Sequence, residues 1–145
     1  MRALDTLIRM RRDALLDRRR VLVELDAGRA VVVRRLAALA AALDDEQRIA
    51  AGSLEALYAY RGFAEQVIAE RAQLERSMQE LDARIAKARE DLAAAFSELK
   101  KFEIARDQRL RRERQARAQA EQKALDELAL ARYRHGRFDP TQSRR

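Results

Sequence analysis

Two registers of apolar residues run along this 145-residue chain, one on each side of a break marked by glycine. The first reads Leu4, Ile8, Leu15, Leu22, Leu25, Val32, Leu36, Leu39 and Leu43, with Arg11, Arg18 and Arg29 in the skipped slots. The second reads Val67, Leu74, Met78, Leu81, Ile85, Ala88, Leu92, Ala95, Leu99 and Phe102, with Arg71 in its skipped slot. Steps of three and four residues in alternation keep one seam of an α-helix turned toward a partner helix along its whole length. The pattern predicts an all-α fold: an antiparallel two-helix coiled-coil hairpin with a longer, basic C-terminal helix.

Composition narrows the alternatives. Charged residues make up 38% of the chain and aromatic residues 5%, with no tryptophan, which leaves little to fill a globular interior but enough for a thin seam. A lone proline near the C-terminus agrees with long helices. Cysteine is absent and His135 is the only histidine, so neither a His-paired nucleophile nor a His or Cys metal site can be assembled. Carboxylates such as Asp44, Asp45 and Glu46 sit on a helix surface, with no concave pocket to shift their protonation. The four glycines are isolated from one another and form no phosphate-binding loop. The chain therefore reads as a non-enzyme without cofactor or metal. Its longest apolar stretch, Leu36 to Leu43, is far short of the ~20 residues a membrane span needs. Asp5, Asp13 and Asp17 argue against an organelle presequence, and the expectation is a soluble cytoplasmic protein.

The pattern predicts a single helical hairpin over residues 1–135, followed by a disordered tail over 136–145. The first helix is expected at about 3–49, a turn region at 50–62 and the second helix at about 63–134. Gly52 and Ser53 form a stop and restart, with Ser53 capping a short helical segment, Leu54 to Tyr60, that Gly62 closes. Folding the chain back sets Leu43 against Val67, Leu36 against Leu74, Leu22 against Ala88, Leu15 against Ala95 and Leu4 against Arg106. Large then faces small at several levels. Arg11, Arg18 and Arg29 would cover Leu99, Leu92 and Leu81 with their methylene stems while their guanidinium groups reach water.

The formal charge of +7 is unevenly spread. Residues 1–20 hold seven arginines against three aspartates, and residues 104–145 hold twelve Lys or Arg against six acids. A hairpin brings both termini to one end, which is then strongly basic. The second helix also continues past its last partner near Arg106, so a basic helical extension projects unpaired, and such a segment is marginal as an isolated helix.

Two features are candidates for function. The first is the arginine cluster, Arg106, Arg109, Arg111, Arg112, Arg114 and Arg117, joined at the N-terminus by Arg9, Arg11 and Arg12. Charge runs on long helices are usually solvated, but the excess at both termini favours an acidic partner surface. The second is the segment Leu54, Leu57, Tyr58, Tyr60, Phe63 and Val67, which gathers three of the seven aromatic residues near the bend. An exposed cluster there would be a docking patch. The same rings could instead fold inward and plug the turn, and the sequence leaves both readings open.

The opening Leu4-Asp5-Thr6-Leu7-Ile8-Arg9-Met10-Arg11, the glycine-interrupted middle with Tyr60-x-x-Phe63, and the tail Glu121-Gln122-Lys123-Ala124-Leu125-Asp126-Glu127-Leu128-Ala129 resemble the flagellar export protein family FliJ over essentially the whole chain. The resemblance implies a cytoplasmic component of the flagellar type III export apparatus at the cytoplasmic face of the inner membrane, similar in fold to the γ subunit of rotary ATP synthases. It further implies that the open end enters the pore of a hexameric export ATPase (FliI-like), with Arg9, Arg11, Arg12, Arg106, Arg109, Arg111, Arg112, Arg114 and Arg117 as the contact set. The opposite region would contact an export gate protein (FlhA-like) through Leu43, Tyr60, Phe63 and Val67, and export chaperones are a further partner of the family.

A basic coiled-coil scaffold or nucleic-acid-binding protein unrelated to export is the rival reading. No stacking aromatics interrupt the basic stretch, so no nucleic acid is expected as a specific partner. Self-association through the extension is a third possibility.

Overall fold

The two helices meet at a bend of three residues, Ala51, Gly52 and Ser53. The computed structural model describes residues 2–137 and consists of α1 (Arg2–Ala50) and α2 (Leu54–Arg137). At the end of α1 the Gly52 N–H donates to the Ile49 carbonyl at 3.2 Å, a tightened last turn that needs no left-handed glycine. Ser53 then caps α2: its Oγ accepts from the Ala56 N–H at 3.0 Å, and its carbonyl accepts from the Leu57 N–H at 3.1 Å.

The bend is shorter than the expected turn region at 50–62, because α2 runs without a break through Gly62. A glycine inside a helix costs only about 1 kcal/mol relative to alanine, and the helix-forming residues around it, such as Arg61, Ala64 and Glu65, outweigh that. Gly136 likewise lies within α2, so the expected disordered tail begins too early. Its remaining positions, 138–145, lie outside the described residues.

The chain divides into two units, one formed by Arg9–Leu99 and the other by Met1–Ile8 with Lys100–Arg145. Within Arg9–Leu99, α1 and α2 pair as an antiparallel hairpin along the predicted seam. Leu15, Leu39, Val67, Ile85, Ala88 and Leu99 are buried, and every other seam position in the unit is half-buried. Ala50, outside the predicted register, is also buried against the bend.

The pairing follows the expected register. Leu36, Leu39 and Leu43 of α1 share one cavity wall with Val67 of α2, and Leu15 shares a groove with Leu92, Ala93 and Phe96. A methyl group added at Gly28 would sit 4.0 Å from Leu81 Cδ2, so the bulkier leucine rests opposite the residue with no side chain.

Ion pairs flank this seam. Arg29 Nε donates to Asp82 Oδ1 at 2.7 Å, and Arg35 Nε donates to Glu70 Oε1 at 2.8 Å. Arg29 remains exposed, and its guanidinium is in addition held by a carboxylate one position from Leu81. The hydrogen bond to Glu70, and then the charge of Glu70, hold the Arg35 guanidinium pKa above its usual value. Exposed pairs of this kind contribute little stability, but their opposite signs across the seam penalise slipped registers.

Within the other unit, Ile8 is the most deeply covered side chain, at 1% exposure, and Leu4 and Phe102 are half-buried. Arg106 Nη1 lies 4.0 Å from Asp5 Oδ1, next to the predicted Leu4–Arg106 level. Leu110 is half-buried, and every side chain from 111 to 136 is exposed. Among the described residues, no polar or charged residue is buried, no helix is long and apolar enough to cross a membrane, and no acidic, His or Cys cluster could hold a metal ion.

Candidate functional site

The arginine extension is built by helix geometry alone. From residue 111 to 137, α2 continues for about 40 Å with no second helix against it. Arg106 is half-buried beside Asp5, and Arg109 Nε lies 3.8 Å from Glu113 Oε1. Arg111, Arg112, Arg114 and Arg117 are exposed and enter no ion pair among the described residues. Arg109 and Arg112, Arg111 and Arg114, and Arg114 and Arg117 are each three apart, so like charges stand as neighbours on the helix surface. Such neighbours cost an isolated helix a few tenths of a kcal/mol per pair. An anionic surface laid along the stretch would convert that repulsion into attraction.

Arg9, Arg11 and Arg12 are exposed on α1, in the unit Arg9–Leu99, whereas the six arginines from Arg106 to Arg117 belong to the other unit. Past the arginines, Leu125, Leu128, Leu130 and Tyr133 remain more than half exposed.

Near the bend, the predicted docking residues fall into different environments. Leu43 is half-buried and Val67 is 5% exposed, and both line the seam cavity with Leu36 and Leu39. Tyr60 and Phe63 are half-buried, and they stand seven and four residues before the seam position Val67. Leu54, Leu57 and Tyr58, at 70%, 53% and 69% exposure, line an open apolar groove with Arg61, and Tyr60 contributes its edge. The aromatic segment is therefore divided, with Tyr60, Phe63 and Val67 covered or half-covered and Leu54, Leu57 and Tyr58 exposed. Ile49 and Ile68, also largely exposed, extend the apolar surface and were not among the predicted positions. Their signal in the sequence was their phase: Ile68 stands one residue beyond the seam position Val67, on another face of the helix.

Among the described residues these surfaces present exposed guanidinium groups in one place and exposed apolar side chains in another. Searches of curated proteins and of solved structures gave no match. A family model described as Flagellar FliJ protein matches residues 1–138. The match spans both helices, the arginine extension and the bend, and the chain belongs to the FliJ family, a component of the flagellar export apparatus.

Proposed function

We propose that this protein acts without catalysis, as a helical connector between a hexameric export ATPase and an export gate protein. The carrying observation is the uncovered, arginine-rich stretch of α2: Arg111, Arg112, Arg114 and Arg117 are exposed and unpaired among the described residues, in a chain of the FliJ family. In this reading the stretch, with Arg9, Arg11 and Arg12, sits in the pore of the ATPase ring against acidic side chains. Desolvation in the pore strengthens each guanidinium–carboxylate contact relative to water. The ring is thereby held assembled and its turnover promoted.

At the other site, Tyr60 and Phe63, with Leu43 and Val67 beneath them, form the gate-facing surface. Val67 supports that surface from the seam, and the half-buried rings keep area for a partner. In this reading the protein works at the cytoplasmic face of the inner membrane, reached through the gate.

The test is ATP hydrolysis by the purified export ATPase with and without this protein. Replacing Arg109, Arg111, Arg112 and Arg114 by Glu is expected to abolish stimulation while leaving the helical circular dichroism spectrum and its thermal midpoint unchanged. Full stimulation by the variant would remove the extension from the mechanism. Phe63→Ala is expected to weaken gate binding and spare ring binding, and equal loss of both would assign Phe63 to packing.

A further inference from the structure

Beside the bend, α2 carries a second register of alternating four and three residues: Leu54, Tyr58, Arg61, Glu65, Ile68 and Ala72. All six are exposed, with Leu54, Tyr58 and Ile68 at 70%, 69% and 64%. The seam with α1 uses a different face of the same helix, through Val67, so this stripe has no partner among the described residues of its own chain.

At its centre, Arg61 and Glu65 stand one turn apart with opposite charge. Neither enters an ion pair among the described residues, although the spacing would allow one with the other. An apolar stripe interrupted by one cation and one anion at this spacing is complementary to itself under a two-fold axis perpendicular to the helix. Turned antiparallel on a copy of itself, the stripe sets Arg61 against the partner's Glu65, Glu65 against the partner's Arg61, and Tyr58 against the partner's Ile68. A parallel, in-register pairing would instead oppose arginine to arginine and glutamate to glutamate. An isologous contact buries the same patch on both copies and closes, so it forms a dimer and no filament.

We propose that this outer face of α2 is a homodimer interface, two copies joined antiparallel through Leu54, Tyr58, Arg61, Glu65 and Ile68. The charge complementarity selects a second copy of this chain as the occupant, and the inference rests on neither the ring nor the gate reading. The face is short, about five helical turns, so the dimer is in dynamic exchange with the monomer.

The test is sedimentation of the full chain from about 1 to about 300 μM, a range that brackets a weak dimer. The wild type is expected to pass from monomer to dimer across that range. Arg61→Glu and Glu65→Arg, each placing like charges opposite one another twice, are expected to weaken dimerisation about tenfold or more. Combining the two substitutions reverses both charges, regenerates the complementary pair and is expected to return the dimer to within about threefold of wild type. Both side chains are exposed, so the helical spectrum serves as the folding control. A chain that stays monomeric throughout, a dimer indifferent to both single reversals, or a double variant no tighter than the singles would each overturn the proposal.

Discussion

Gly28→Ala tests whether the two helices approach one another as described. Gly28 lies inside α1 at a half-buried position, and an added methyl would meet Leu81 Cδ2 at 4.0 Å, an ordinary van der Waals separation. Two effects then act in the same direction. Replacing glycine by alanine in a helix interior stabilises by about 1 kcal/mol through backbone entropy. Covering part of one methyl adds up to about half of the ~0.8 kcal/mol that a fully buried methylene contributes.

The expected gain is therefore about 1.5 kcal/mol, read as a rise of roughly 0.5–1 M in the urea midpoint at unchanged slope. Gly62→Ala is the control in the same unit, because nothing lies within 4 Å of its added methyl and only the backbone effect of about 1 kcal/mol remains. The difference between the two variants isolates the contact across the seam. If Gly28→Ala lowers the midpoint, or raises it less than Gly62→Ala does, the spacing at Leu81 is closer than described and the glycine is there to admit the leucine.

Further measurements probe the ends of the fold. Ser53→Ala removes the acceptor of the Ala56 N–H and is expected to cost about 1 kcal/mol, visible as a lower urea midpoint, with Ser53→Asp recovering most of it. Ile8→Ala, at a side chain 1% exposed, is expected to destabilise by about 2–4 kcal/mol, whereas Leu128→Ala, at 54% exposure, should leave the midpoint within about 0.5 kcal/mol of wild type. Equal effects would show that residues near 128 are covered in solution.

The seam was fully legible in the sequence. From Leu4 to Leu43, and from Val67 to Phe102, each predicted position is buried or half-buried, while Arg11, Arg18, Arg29 and Arg71 in the skipped slots are exposed. Period alone is enough there, because two helices have only one face each to share. Near the bend it was not. Proximity in the chain groups Val67 and Phe63 with Leu54 and Tyr58, yet a helix turns 100° per residue and sets these two pairs on different faces, with Tyr60 between them lining the groove of Leu54, Leu57 and Tyr58. Gly62 compounded the error: treated as a terminator, it hid the continuous phase of α2 that divides these residues. Cross-seam charge was invisible for a related reason, since pairing Arg29 with Asp82 requires a register known to one residue, and apolar spacing fixes it only to about a turn. The arginine extension was legible as composition, but only the helix carried through Arg137 places Arg109 and Arg112, and Arg111 and Arg114, about one turn apart.

The three-residue bend has a kinetic consequence. So short a connection favours contacts near the bend, so Leu43 and Leu39 meet Val67 at a lower entropic cost than Leu15 meets Leu92, and pairing then spreads outward level by level. The hairpin should assemble as a zip does, from the bend toward the Leu15 and Phe96 level. Shaving Val67 to Ala would then slow refolding, whereas shaving Leu15 would chiefly hasten unfolding. Stopped-flow rates in which Leu15 carried the larger refolding penalty would reverse that order.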